Sequence, residues 1–395
     1  MQRSVYLDHA ATTPLHPRAF EAMLPYLTEE FGNPSATYAL ANRARDAVQR
    51  ARRTVAAILG CKPNEVIFTS GGTESINTAI KSVAFQQKKA RAGNHIVTSA
   101  IEHHAVLHTC QYLERFGFDV TYVPVDREGC VDPADVAAAI TDRTVLVSIM
   151  TANNEVGTLQ PVSDIAAAVA ERSTAMKKRI PFHTDAVQAP NSLRIDFARH
   201  GIDMLSLAAH KFRGPKGVGV LYVRRGVPFL AQQNGGGQER QRRAGTENVA
   251  GIVATAEALR IAQESIEMSG GRVRELATRL RDGVLTSIPG TELNGHPEQR
   301  LANNVSISFE GADARDLVAE LDAVGVACSA GAACGANSVE PSHVLVALGL
   351  PPEHAASTLR FSLGQETSSE DIDYVLEQLP PIVGRSRVGQ PAVAR

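Results

Sequence analysis

The longest apolar runs of this 395-residue sequence, such as 145–150, are far too short to span a bilayer, and the opening residues MQRSVYLDHAATTP lack the apolar core of a secretory leader. A cytoplasmic protein without membrane attachment is expected. Cysteine is scarce: Cys61, Cys110, Cys130, Cys328 and Cys334 make an odd count with no C-x-x-C spacing, which speaks against a disulfide framework and a structural zinc site. At least one thiol is free. Neither sign of charge dominates, since the net charge is -2, so nothing favours direct binding to nucleic acid or acidic membrane. The small basic cluster Arg240, Arg242 and Arg243 reads as a local feature. There is no internal repeat and no low-complexity block. What remains, 44% hydrophobic and 21% charged residues, describes a globular chain with room for two domains or one large one.

Within that frame the stretch 203–223, DMLSLAAHKFRGPKGVGVLYV, stands out. An apolar run over 204–209 delivers His210 and Lys211 to a turn containing Gly214, Pro215, Gly217 and Gly219, and a second apolar run carries the chain back. A lysine held at the end of a buried strand can act as a neutral amine, as Schiff-base chemistry requires. Taken alone, the stretch equally describes a solvated lysine on a hairpin loop. The segment VIFTSGGTESINTAIKSVAF adds a strand over 66–69, a Ser-Gly-Gly-Thr turn, and a helix beginning near Thr73 whose Ile76, Ala79, Ile80, Val83 and Ala84 share one face. Bare amides and the helix dipole above Gly72 and Thr73 make an anion site, although two glycines also suit a plain tight turn. In FGNPS, Asn33 can offer an amide to a carboxylate or merely form the turn.

Strands and helices then alternate, which predicts an α/β fold with a mostly parallel sheet covered on both faces and a ligand at the carboxyl ends of its strands. Thr73, His103, Asn154, Asp185, Gln188 and Lys211 all fall at those ends. A phosphate cradle, a stacking imidazole, a carboxylate for a pyridine nitrogen and a Schiff-base lysine together describe a pyridoxal phosphate site. The organisation expected is a large cofactor-binding domain over 13–260, a smaller α+β domain built from 1–12 and 261–380, and a mobile tail over 381–395. The stretch 17–27 reads as one helix, and the helical stretch 246–287 is expected to break at Gly270 and Gly271.

The motifs YLDHAATTP, FGNPS, FTSGGTE, SAIEH, NNEVGT, FHTDAVQ, AHKFRGPKGVG, GGGQERQRRAGTEN, CSAGAAC and LRFSLG cover nearly the whole length, and their set resembles the NifS/IscS-type cysteine desulfurases of the class V aminotransferase family. The resemblance implies fold type I of the pyridoxal-phosphate enzymes and conversion of L-cysteine to L-alanine. It assigns the Schiff base to Lys211, the ring nitrogen and phenolic oxygen to Asp185 and Gln188, and the phosphate to Thr73 and His210, beside the Gly72 turn and the stacking His103 read from the residues themselves, with Asn154 also expected among the cofactor residues. Thr246 would reach the phosphate of a neighbouring subunit in a homodimer with shared sites. Arg360 and Asn154 would grip the substrate carboxylate, with Asn33 nearby, and Cys334 would take the sulfur as a persulfide for an acceptor protein, a scaffold or a thiolation enzyme. Cys328 reads as a buried bystander. No metal is implied among the site residues. A selenocysteine lyase or another class V enzyme would share Lys211 and Asp185 without needing Cys334. Three positions depart from the family pattern: Ala208 and Ala244 stand where serines are common, and Tyr38 where a histidine is. The C-terminus lacks the extension by which housekeeping members dock a scaffold, so a dedicated sulfur donor fits equally well.

Overall fold

Buried apolar strands joined by helices need partners on both faces, and the computed structural model, which describes residues 3–331 and 341–388, supplies them. Among the described residues seven strands form one sheet in the order Val66–Thr69, Gly219–Val223, Met204–Ala208, Phe182–Asp185, Thr144–Ser148, His95–Ser99 and Asp119–Val123. Only Gly219–Val223 runs antiparallel to its neighbours. The reason is local: the short connection over 209–218, with no α-helix, returns it beside Met204–Ala208, whereas longer crossovers separate the parallel strands. Gly219 cannot be replaced cheaply, because a Cβ there would lie 2.5 Å from the Gly71 carbonyl group and from Thr69 Oγ1. The return strand thus presses against the turn that opens the helix Gly72–Lys89.

The free edge of Val66–Thr69 is covered by a side-chain pair. Arg52 Nη1 donates to Val66 O at 2.7 Å, Glu239 Oε2 accepts from Phe68 N at 3.2 Å, and the two side chains form a bidentate ion pair at 2.7 Å, each 3% exposed. An edge strand that would otherwise offer bare amides and carbonyls is closed in this way. Glu239, Arg240 and Gln241 all adopt positive φ, between 46° and 63°, a left-handed turn that non-glycine residues rarely take.

A second, four-stranded antiparallel sheet runs Ser329–Ala330, Thr358–Ser362, Asn304–Phe309, Thr291–Leu293. It packs with the helices Ala314–Ala323 and Ser369–Val388 around a core of its own. The helix Val249–Ser287 joins the two cores: Leu259 and Ala262 belong to the first, Val273, Leu276 and Leu280 to the second. The expected break at Gly270 and Gly271 is absent. Two glycines cost a helix interior only about 1 kcal/mol each, and apolar anchoring on both sides outweighs that cost. The mobile tail also needs correction, because the last helix continues through Pro380 and Pro381 to Val388. Ile372, Val375, Leu379, Ile382 and Val383 are spaced to one face and buried, so packing holds a helix that two prolines would be expected to stop. The single helix expected over 17–27 divides into Pro17–Met23 and Pro25–Thr28.

Val5 and Leu7 lie in the second core, and Val5–Tyr6 pairs in parallel with Val326–Ala327. The N-terminal segment therefore starts in the smaller unit before crossing to the larger.

Truncating Arg52 to Ala is expected to cost about 3–5 kcal/mol, because it strands a buried Glu239 carboxylate. The double change Arg52→Met with Glu239→Leu should recover only the part of that loss owed to the stranded charge, because Val66 O and Phe68 N lose their partners as well; a double variant as stable as wild type in urea unfolding would show that the pair does not hold this edge.

Candidate active site

A cavity of about 1120 Å³ lies at the carboxyl ends of the parallel strands, between the two cores. Its floor follows from the sheet order, since the strand ends and the turns just beyond them bring Gly72, Thr73, His103, Asp185 and Lys211 to the same edge. Met204–Ala208 leads into a single 3-10 turn, Ala209–Lys211, that aims the lysine into the cavity. Lys211 Nζ donates to Ala10 O at 2.6 Å and Ala11 O at 2.7 Å, and Asn191 Nδ2 donates to Lys211 O at 2.7 Å. The preceding His210 places Nδ1 3.1 Å from Thr12 Oγ1.

Asp185 ends its strand buried, with Oδ1 accepting from Val187 N at 2.9 Å. Burial pushes its carboxyl up to about 6, against the pull of the Val187 amide and the Lys211 charge. Burial likewise lowers His103 and His210 to about 4, with the nearby Lys211 charge adding to the effect. Both rings are neutral at pH 7. His103 Nδ1 caps the helix His104–Glu114 by accepting from Ala105 N at 3.0 Å, which leaves the proton of the neutral ring on Nε2.

Opposite the lysine, the helix Gly72–Lys89 opens on the cavity through Gly72 and Thr73. A Cβ on Gly72 would come within 3.0 Å of Val187 Cγ2 and 3.2 Å of Ala208 Cβ, so the helix start fits tightly over the two neighbouring strand ends. Gln188 lines the wall and donates from Nε2 to Ala10 O at 3.1 Å. From the smaller unit comes Arg360, 4% exposed, donating from Nη1 to Asn154 O at 2.9 Å and from Nη2 to Asp8 Oδ1 at 2.9 Å and Ser329 Oγ at 3.1 Å.

A model of the aminotransferase class-V family matches residues 5–375. The chain belongs to the class-V aminotransferase family. It is similar to a cysteine desulfurase IscS of Methanosarcina thermophila, 50% identical over 389 residues that cover 98% of this chain and 94% of that one. A cysteine desulfurase IscS of Clostridium botulinum is 48% identical over 393 residues, covering 99% and 97%. Among solved structures, a NifS-like protein superposes with a TM-score of 0.90 at 37% identity, over 97% of this chain and all of the other. SspA in complex with cysteine gives 0.80 at 36%, over 92% of this chain and all of the other.

Class-V enzymes use pyridoxal phosphate, and the described residues fit that group. A helix start beside Thr73 and His210 suits a phosphate. A buried carboxyl at Asp185 suits a ring nitrogen, and a neutral imidazole at His103 suits a ring face.

Nine of the residues expected in the site line one cavity: Gly72, Thr73, His103, Asn154, Asp185, Gln188, His210, Lys211 and Arg360. Asn33 does not join them. It is exposed, and its Oδ1 accepts from Ser35 N at 3.0 Å, closing its own turn. Thr246 is exposed and outside the cavity lining. Cys334 lies outside the described residues; Ala330 and Pro341, on either side of its stretch, both line the cavity. Cys328 also lines it, and burial pushes its thiol up to about 12, which suits a bystander.

Sequence reasoning misses two acids. Asp8, inside YLDHAATTP, pairs with Arg360, and nothing local marks that long-range contact. Glu102, next to His103 in the chain, is fully buried, with Oε1 accepting from Ser99 Oγ at 2.7 Å and Met150 N at 2.8 Å while Oε2 has no partner among the described residues. An acid beside two histidines is visible in SAIEHH, but its inward orientation is not.

Burial raises Glu102 from 4.5 to about 8. The native state therefore keeps this proton longer than the unfolded chain, and the stabilisation it carries is complete below pH 4.5 and lost as pH rises through about 8. Glu102→Gln should flatten the decline of the urea midpoint between about pH 5 and pH 9; an unchanged slope would assign the dependence elsewhere. Ala208, 3% exposed, lines the cavity beside the helix start at Gly72. Ala208→Ser should tighten pyridoxal phosphate binding to the apoenzyme about fivefold, the worth of one net hydrogen bond, as read by absorbance titration.

Proposed function

We propose that the cavity takes L-cysteine, with Lys211, Asp185, His103, Gln188, Gly72, Thr73 and His210 serving the cofactor, Arg360 and Asn154 the substrate carboxylate, and Cys334 the sulfur. The chain is a cysteine desulfurase. One observation carries the reading: Lys211, Asp185 and Arg360 meet in a single cavity, which Ala330 and Pro341 also line.

Pyridoxal phosphate, when bound, supplies the electron sink for chemistry at the substrate Cα. Asp185 would hold its ring nitrogen, His103 its ring face and Gln188 its phenolic oxygen, with the start of the helix Gly72–Lys89, Thr73 and His210 around its phosphate. Lys211 Nζ, steered by the carbonyls of Ala10 and Ala11, is the base that takes the Cα proton. Arg360 holds the substrate carboxylate and so orients Cα toward that amine. The Cys334 thiolate attacks the substrate sulfur, a sulfur–sulfur bond forms as the carbon–sulfur bond breaks, and the bonding pair stays with the carbon skeleton. Overall, L-cysteine and a thiol become L-alanine and a persulfide, which balances without an external oxidant.

The exposed Thr246, outside its own cavity, suits contact with the phosphate of a second copy in a homodimer. Cys61, Cys110, Cys130 and Cys328 are all unpaired, in keeping with a reducing cytoplasm. The persulfide passes to an acceptor protein, a scaffold or a thiolation enzyme. Among the described residues no helix is long and apolar enough to cross a membrane.

A single-turnover reaction with L-cysteine, following alanine and protein-bound persulfide together, tests the reading. Wild type should form one persulfide that maps to Cys334, and Cys334→Ala and Lys211→Ala should form none. Alanine release at the wild-type rate by Cys334→Ala would remove the thiol from the mechanism and point to a lyase.

A further inference from the structure

Arg360 is held in a way that leaves it unable to receive a carboxylate on two parallel hydrogen bonds without giving one up. A guanidinium has two edges that present paired hydrogens, Nε with Nη2 and Nη1 with Nη2, and both include Nη2. Nη2 carries two hydrogens, and both are spoken for, one by Asp8 Oδ1 at 2.9 Å and one by Ser329 Oγ at 3.1 Å. Nε, by contrast, is buried with no partner among the described residues, on a side chain that is 4% exposed and lines the cavity. A buried donor without an acceptor points to a ligand that supplies one.

We propose that Asp8 is a positioning and specificity residue that competes with the substrate carboxylate for Arg360, so that substrate binding exchanges one carboxylate for another on Nη2 while filling the empty Nε. The proposal rests on the reading of Arg360 as the carboxylate grip. The surroundings of Asp8 suit an exchange. Its backbone is pinned, since Asp8 O accepts from Ala11 N at 3.0 Å and Tyr6 Oη at 3.1 Å, and Asp8 bridges to Ser362. Its side chain is 18% exposed, so the displaced carboxylate can turn to water without moving the chain. Before substrate arrives, the pair keeps a buried guanidinium neutralised and aimed; afterwards the same charge is matched by the ligand. The exchange favours ligands that bring a carboxylate over those that bring only an amine and a side chain, because a neutral ligand has no means of displacing Asp8.

The test uses the holoenzyme and two probes, L-alanine and L-alaninamide, which differ only at the carboxylate. Calorimetric titration of wild type, Asp8→Asn, Ser329→Ala and Arg360→Lys gives the ratio of the two affinities. Asp8→Asn removes the rival charge, and it should bind L-alanine roughly tenfold tighter with L-alaninamide unchanged. Ser329→Ala frees the other Nη2 hydrogen without touching Asp8 and should tighten L-alanine about threefold; if Asp8→Asn does not fold, Asp8→Ser, which removes the same charge and keeps a short polar side chain, carries the tenfold expectation in its place. Unchanged or weaker L-alanine binding in these variants, with Arg360→Lys still losing the preference for L-alanine, overturns the competition and leaves the grip intact. If Arg360→Lys keeps that preference, Arg360 is not the grip and the proposal falls with it.

Discussion

The site depends on a strap of nine residues. Over 5–13 the chain begins in the smaller core with Val5 and Leu7, puts the Asp8 carboxylate on Arg360, turns the carbonyls of Ala10 and Ala11 toward the Lys211 amine, and ends with Thr12 on His210 and Thr13 on the His210 and Arg213 backbone. One short segment thus touches the residue proposed for the substrate carboxylate and the residue proposed for the Schiff base. Neither unit alone could set the distance between them. A segment anchored in a core at Val5 and Leu7, whose next carbonyls, Ala10 and Ala11, hold the lysine, is a rigid ruler, and catalysis by positioning requires one.

Desolvation is the dominant electrostatic influence within that frame. It leaves His103 and His210 uncharged and brings Asp185 to about 6, so among these three groups charge is weakened wherever the cofactor's own charges are to be accommodated. The effect is self-consistent with a phosphate and a ring nitrogen as ligands: both bring charge to groups that can hydrogen-bond without repelling them. Burial acts in the same direction on Glu102, which it raises to about 8.

Much of this architecture is legible in the order of the amino acids. Period and length mark the strands, and polar residues at or just beyond the strand ends, such as Thr73, His103, Asp185 and Lys211, mark the cavity, because parallel topology brings strand ends together whatever lies between them. Local chemistry is the weaker guide wherever a residue has two uses. Asn33 has the chemistry of a ligand and acts as a turn former, since an asparagine before a proline satisfies its own backbone at no cost in chain length. Gly270, Gly271, Pro380 and Pro381 have the chemistry of stops and lie inside helices, because tertiary burial on either side exceeds their propensity cost. The Asp8 contact spans 352 positions to Arg360, and no periodicity reports a contact of that range.

The two cores are further tied by the loop that follows Thr144–Ser148. Arg300 Nη2 donates to Val156 O at 3.0 Å, Asn304 Nδ2 to Glu155 O at 3.3 Å, Arg360 Nη1 to Asn154 O at 2.9 Å, and Thr158 bridges to Arg300. Three consecutive carbonyls of the larger unit are therefore occupied by three side chains of the smaller. Buried carbonyls that lost these partners would remain unsatisfied, a cost of about 1–3 kcal/mol apiece, so prising the units apart at this loop is opposed at several points together. Preorganisation follows from that constraint: the arginine from one unit and the lysine from the other meet the substrate across a gap already fixed by the backbone, and binding energy need not be spent on closing it.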